Sequence, residues 1–268
     1  FDRVAALRNV EAMEPDGRLW RRLSRLWRAI GVSRDAKNGS VELYHGLDNR
    51  LPYGLAHYNI RSIITIHDLR FIRFSSRNPI MAHLDKQRIY SACRRADRII
   101  AVSEGTKHDL VELMNIDPEK IDVIYTGCDP CYTAPIDADY VAAVKEQYKL
   151  PERYILNVGT QSKRRNIELI LDAMTKLPEP IDLVAVGAPT SHTRRLAALA
   201  RKLGIDSRVH FIVCDSNEEL AAIYRGAELL VNPTHYSTFG MPLVEALNVG
   251  IPVIGATGSS HEEAAGPN

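Results

Sequence analysis

Cysteine, aromatic residues and any surplus of charge are scarce in this chain of 268 residues. The 4 cysteines, Cys93, Cys128, Cys131 and Cys214, have no disulfide-framework spacing. Cys128-Asp129-Pro130-Cys131 is a lone C-x-x-C without a second ligand pair, so no zinc or other metal site is expected and the thiols read as free. Aromatics make up 7% and do not cluster with basic residues, while 34 Lys+Arg against 33 Asp+Glu leave a net charge of +1. That balance gives no bulk electrostatic case for nucleic acid, and no stacking platform is present. No apolar run approaches the roughly 18 residues of a membrane span, and no signal peptide is visible, so the expected compartment is the cytoplasm. The chain also lacks an initiator methionine at Phe1 and stops at Asn268 just after a helix has begun, which reads as an internal fragment.

What is present is enough for two cores: 45% apolar and 25% charged residues. Apolar runs of strand length alternate with helical patterns. The runs are Ser62 to Ile66, Arg98 to Val102, Ile121 to Tyr125, Tyr154 to Val158, Asp182 to Val186, Val209 to Val213, Leu229 to Asn232 and Pro252 to Gly255. Strands buried on both faces and separated by helices predict parallel, doubly wound α/β sheets. Ser103 is expected to cap a helix running to Met114, and Ser216 with Glu219 and Ser260 with Glu263 have capping-box spacing. Gly204 and Gly226 stand at helix stops. Leu150-Pro151 follows the weakest stretch, so the expected domains are residues 1–150 and 151–268.

The richest segment runs from Asn232 to Ser260. An apolar run ends at Asn232-Pro233, a loop leads to Phe239-Gly240-Met241-Pro242, and Pro242 suits the first position of the helix that follows. Gly250 supplies a left-handed stop before the next strand. The mouth of such a helix favours an anion, because free amides and the dipole point there. Glu245 in that helix has two open readings, a ribose-diol ligand or a solvated first-turn acid that complements the dipole. A second loop, Gly159-Thr160-Gln161-Ser162-Lys163-Arg164-Arg165-Asn166, places three cations where a helix should start, against the dipole rule. It is either an anion site or a solvated basic loop. In Ile63-Ile64-Thr65-Ile66-His67-Asp68-Leu69, His67 stands just past a strand's carboxyl end, where open α/β sheets hold ligands, although a structural histidine fits there too.

Phe239-Gly240-Met241-Pro242-Leu243-Val244-Glu245-Ala246, the Gly159 to Asn166 loop, Thr65-Ile66-His67-Asp68-Leu69, the stretch from Arg95 to Glu104 and the stretch from Pro118 to Gly127 occur in one order. That order resembles the retaining glycosyltransferases of family GT4. The resemblance covers Ser62 to Ala265. It implies a GT-B architecture, two Rossmann-like domains facing a cleft, here incomplete at both ends. It further implies that Arg164 and Arg165 grip a donor diphosphate, that amides around Phe239, Gly240 and Met241 face it, and that Glu245 holds the ribose. His67 would approach the donor sugar and phosphate, and Ser260, with Ser259, would match a small-polar donor loop. Ser237 and Thr238 replace the family's first glutamate and its glycine, which removes the acid beside the hexose. Val213 replaces a glycine beside the base.

The resemblance is greatest to bacterial O-antigen mannosyltransferases. It implies a UDP- or GDP-hexose donor, a saccharide or lipid-linked acceptor, transfer with retention in polysaccharide biosynthesis, and no cofactor or metal. The rival reading is a non-catalytic sugar or nucleotide binding module that keeps the fold, for which Ser237 is the argument. A dinucleotide oxidoreductase is disfavoured because no G-x-G-x-x-G follows a strand. Residues 17–31 put Leu19, Trp20, Leu23, Leu26, Trp27 and Ile30 at helical spacing between arginines. That helix would either pack on the sheet or lie on an anionic membrane, peripheral to the inner face of the cell.

Overall fold

In the computed structural model, residues 15, 17–69, 72, 79–258 and 260–266 are described; Ser259 and residues 1–14 lie outside them. The chain forms two compact units, one of Phe1–Ala101 with Asp109–Asp122 and the other of Val102–His108 with Val123–Asn268. In the first, strands β1 (Leu43–Gly46), β2 (Arg61–Ile66), β3 (Arg98–Ala101) and β4 (Ile121–Val123) lie in the order β1-β2-β3-β4. β2 runs parallel to both β1 and β3. Ile64, Ile66, Ile99 and Ala101 are buried and, by the strand register, share one face, while Ile63 and Ile100 on the other are half-buried. β1 has no matching apolar run in the sequence: it is a short edge strand with only Gly46 buried.

Polar residues fasten this unit. Asp97 accepts from the Ser62 amide at 2.7 Å and from the Ser62 hydroxyl at 2.9 Å, locking the start of β2 to the entry of β3. Arg95 donates to the carbonyls of Pro52 and Leu51 at 3.0 and 3.1 Å, and Arg98 pairs with Asp122. The expected strand from Ile121 stops at Val123, and Ile124 and Tyr125 are both exposed.

The segment expected as one helix over 17–31 is broken. It runs as Gly17–Arg22, Ser24–Leu26, a π-helical turn Trp27–Gly31 and then Val32–Asn38. Trp27 Nε1 donates to Asp35 across the wide turn at 2.7 Å. Leu23, Leu26 and Ile30 are 43–48% exposed, so this apolar face does not sink into the sheet.

The second unit carries β5 (Tyr154–Val158), β6 (Asp182–Val186), β7 (Val209–Ile212), β8 (Leu229–Asn232) and β9 (Val253–Gly255) in the order β7-β6-β5-β8-β9. Every pairing in it is parallel. All five residues of β5 are buried, and the two-residue period divides them. Tyr154, Leu156 and Val158 join one core with Leu230, Tyr224 and Leu243, while Ile155 joins the other with Ile167, Leu171 and Leu196. The helix Ala138–Gln147 packs with this second unit through Val144.

Helix ends follow local chemistry in most places. Ser216 caps Asn217–Arg225 by accepting from the Glu219 amide, and Tyr148, Gln147 and the amides of Asp215 and Ser216 hold the Glu219 carboxyl below its usual range. Thr190 with Thr193 also makes a full box.

Gly187 has φ +151°, and a side chain there would place Cβ 2.2 Å from the Gly159 carbonyl oxygen. We therefore expect Gly187→Ala to destabilise the second unit by about 2–4 kcal/mol, combining overpacking with a strained backbone. Urea unfolding followed by tryptophan-independent far-UV dichroism checks this, and an unchanged midpoint would contradict it.

Candidate functional site

The strand order reverses between β5 and β8, so the chain leaves their carboxyl ends in opposite directions and two loops flank a crevice. The loop after β5 begins at Gly159, φ +130°. Lys163–Arg165 form a separate 3-10 turn, Asn166 is left-handed, and the helix Ile167–Met174 starts only then. The three cations thus do not occupy the first turn of that helix. Glu168 does, in keeping with the dipole.

The loop after β8 is laced to this turn. The His235 amide donates to the Arg164 carbonyl at 3.2 Å, and Arg164 Nη1 donates to the Tyr236 carbonyl at 2.8 Å. Arg165 Nη1 reaches Thr234 Oγ1 at 3.5 Å. The Arg165 guanidinium lies so close over Gly159 that a Cβ on that glycine would meet Nη2 at 2.3 Å. Gly240, at φ +105°, then turns the chain into the helix Met241–Val249 and, as its N-cap residue, offers the start no side-chain cap. Pro242 stands at its second position rather than its first, and its missing N–H leaves no donor unmet there either.

Glu245 lies past the first turn of that helix, so it is not the first-turn acid that would complement the dipole, and it is half-buried. Burial pushes its carboxyl up from the usual range; a hydrogen bond from Tyr224 and the Arg165 charge pull the other way. Tyr224 Oη donates to Glu245 Oε2 at 2.7 Å. His261, buried on the helix Ser260–Ala265, has its ring edge against Gly240, with Cδ2 3.0 Å from where a Cβ would stand. Burial pushes the His261 imidazole down, a backbone hydrogen bond at Ala256 opposes this, and the charges of Arg165 and Arg164 add to the lowering. Arg165 therefore acts on Glu245 and His261 alike.

The remaining expected residues take distinct places. Ser237 is buried, and the next carbonyl, Thr238, accepts from Ser103 Oγ at 2.5 Å and from Thr106 Oγ1 at 3.4 Å. Phe239 is buried and stacks on Tyr125 with centroids 5.5 Å apart; Met241 is half-buried at the helix start. Ser260 Oγ lies 3.3 Å from Ser103 Oγ. The capping box expected from Ser260 and Glu263 does not form. Glu263 instead accepts from the amides of Glu104 and Gly105 at 2.6 and 3.4 Å, capping the start of the helix Glu104–Met114. His67 belongs to the first unit, exposed at the end of β2, with Nε2 2.9 Å from the Leu47 carbonyl and its amide donating to Asn49 Oδ1 at 2.8 Å. Asn49, Tyr224 and His261 were not singled out by sequence reasoning. The one signal that points to any of them is a tyrosine in a buried helical stripe, whose hydroxyl has to find a partner.

Residues 142–268 match the family described as Glycosyl transferases group 1, and residues 10–131 match Glycosyltransferase Family 4. A D-inositol 3-phosphate glycosyltransferase from Mycobacterium sp. (strain KMS) is 37% identical over 166 residues, which is 60% of this chain and 37% of that relative. The chain thus spans little more than a third of the relative's length. Among solved structures, Anabaena HepE in complex with UDP and glucose aligns with a TM-score of 0.73 at 19% identity, over 93% of this chain and 67% of that one. Sucrose-phosphate synthase from Thermosynechococcus elongatus aligns at 0.71 with 21% identity, over 94% and 64%. The fold is the GT-B type, with each half a Rossmann-like parallel sheet.

Because burial raises the Glu245 carboxyl above its unfolded value, the ionised form costs stability at neutral pH, and that cost disappears as pH falls through the raised value. Glu245→Gln is expected to raise the melting temperature at pH 8 by on the order of 2 °C, with the gain shrinking on acidification. Calorimetric scans from pH 8 to pH 5 test the sign, and a gain that grows on acidification would refute it.

Proposed function

We infer that this chain, GT-B in fold and matched in its two halves by glycosyltransferase family models, transfers a hexose from a nucleotide sugar to a saccharide or lipid-linked acceptor. The observation that carries the reading is the convergence of Arg164, Arg165, the start of the Met241–Val249 helix and Glu245 at the strand-order reversal. In a nucleotide diphosphate the base and ribose are neutral and the charge sits on the phosphates. Two guanidinium groups and a helix start suit the phosphates, and Glu245 suits the ribose diol. When the bond between the anomeric carbon and the phosphate oxygen breaks, negative charge accumulates on that oxygen. The same cations and amides stabilise it more in the transition state than in the ground state.

The finer assignments follow the family resemblance. They are retention at the anomeric carbon, UDP or GDP as the carrier, a mannosyl or related hexosyl group, bacterial polysaccharide as the destination, and no cofactor. His67 is assigned to the donor sugar and phosphate, with Phe239, Met241, Ser237 and Ser260 lining the donor loops. The exposed Leu23, Leu26 and Ile30 with their neighbouring arginines support a peripheral site on an anionic membrane on the cytoplasmic side, where a lipid-linked acceptor would lie. The relative's name, D-inositol 3-phosphate glycosyltransferase, supports sugar transfer and leaves the acceptor of this chain to experiment.

Replacing Arg164 and Arg165 together by alanine is expected to weaken UDP or GDP binding by about 3–5 kcal/mol, since a charge-assisted bond contributes on the order of 1.5–3. Unchanged affinity by isothermal calorimetry would remove the diphosphate assignment. Ser237 supplies the test between enzyme and binding module. With a full-length version, labelled nucleotide sugars and a membrane acceptor extract, we expect slow transfer by the parent and a rate raised about tenfold or more by Ser237→Glu. Donor binding with no transfer by either protein across a broad acceptor panel would leave a binding module as the function.

A further inference from the structure

We propose that Tyr224 is the positioning residue of the nucleotide site, holding one oxygen of Glu245 so that the other is presented to the ribose. This rests on the reading of Glu245 as the ribose ligand. Tyr224 is fully buried on the helix Asn217–Arg225, and its hydroxyl donates to Glu245 Oε2 at 2.7 Å and lies 3.3 Å from the Pro242 carbonyl. The one phenol thus touches both the carboxylate and the backbone at the start of the helix that carries it. Its ring is clamped by Tyr132, edge to face at 5.8 Å, so the hydroxyl has little freedom to follow a moving partner.

A carboxylate that binds a vicinal diol must be ionised and correctly turned. Glu245 is half-buried, which opposes ionisation, and long side chains rotate freely unless held. A hydrogen bond donated to one oxygen answers both needs, because it favours the charged form and fixes the plane of the group. The groups facing Glu245 are Tyr224, Arg165, Cys128, Tyr132 and Cys214, from four different segments. Of these, the tyrosine hydroxyl donates a hydrogen bond to the carboxylate. Glu245 in turn raises the Tyr224 phenol well above its ordinary value, burial being the larger cause, so the phenol keeps its proton throughout the working range.

The expected consequence is a pH signature. In Tyr224→Phe the carboxyl loses a bond that favours its charged form, so the acidic limb of nucleotide affinity moves to higher pH. Affinity for whichever of UDP and GDP binds more tightly is expected to fall about tenfold at pH 6 and less at pH 8. Affinity for the 2′,3′-dideoxy analogue should stay within about twofold of the parent at both pH values. Tyr154→Phe is the matched control. Tyr154 is equally buried, and its hydroxyl donates to the Ile223 carbonyl of the same helix at 2.7 Å without touching Glu245. It should lose comparable stability in thermal unfolding yet keep the parent's discrimination between nucleotide and dideoxy analogue.

Glu245→Gln, measured beside these, separates the two ideas. If Glu245→Gln abolishes the discrimination and Tyr224→Phe leaves both it and the acidic limb unchanged, the positioning role is overturned while the ribose reading stands. If Glu245→Gln itself leaves the discrimination intact, the ribose reading falls, and the proposal falls with it. Adding Tyr224→Phe to Glu245→Gln should change nothing further in discrimination, and an additive loss would show that Tyr224 acts by another route.

Discussion

At Gly159 the chain turns with φ +130° and leaves an open face on which the Arg165 guanidinium rests. A cation placed there is partly withdrawn from water, and the surrounding groups are arranged around that fact. Thr234 lies within reach of Nη1, Glu245 feels the charge as a pull towards ionisation, and His261 feels it as a push towards neutrality. The opposite signs have one origin, because an anion is favoured and a second cation disfavoured beside the same guanidinium. Holding the loop this tightly requires a second glycine. Gly187 passes so close to the Gly159 carbonyl that any side chain would separate the loops after β5 and β6. Two backbone positions without side chains therefore set where the positive charge of the second unit stands.

The second sheet was legible in the sequence almost to the residue. β5, β6 and β8 begin and end where their apolar runs do, since strands buried on both faces have no polar alternation to blur their ends. The glycine stop at Gly250 was equally clear, with φ +93°. β1 was not legible, because an edge strand needs no continuous apolar run and Leu43–Gly46 is mostly exposed. The helix over 17–31 has the right period and yet breaks into a π-helical turn, across which Trp27 bonds to Asp35, a contact that no periodicity announces. The paired spacing of Ser260 and Glu263 misled for a similar reason. Glu263 meets the free amides of a helix start more than 150 residues earlier in the chain, which compete for it successfully.

In the site, the positions carried by charge and backbone geometry were readable, and those carried by support were not. Arg164, Arg165, Gly240 and Glu245 stand out in the sequence by charge and helix-end pattern, although the two arginines sit in a turn of their own ahead of the helix. Tyr224 and His261 serve by contact, and contact depends on the fold. The motif around Arg95 to Arg98 shows the converse. Its residues lie within a stretch that resembles the family, yet Arg95 holds the carbonyls of Leu51 and Pro52, Asp97 holds Ser62, and Arg98 holds Asp122 and the Glu119 carbonyl. In those three residues the resemblance records how the first sheet is fastened.

Ser237 gains meaning from the charges around it. A carboxylate at that position would add negative charge to a loop whose neighbours are Arg164, linked to it through His235 and Tyr236, and Arg165, which reaches Thr234. Without that acid the loop is more positive, which favours a bound diphosphate in the ground state. The sugar, however, becomes electron-poor at its anomeric carbon as the bond to phosphate breaks, and a nearby anion would stabilise it only then. On the proposed reading, the serine would shift interaction energy from the transition state to the bound donor. Such a site would hold its nucleotide sugar firmly and turn it over slowly.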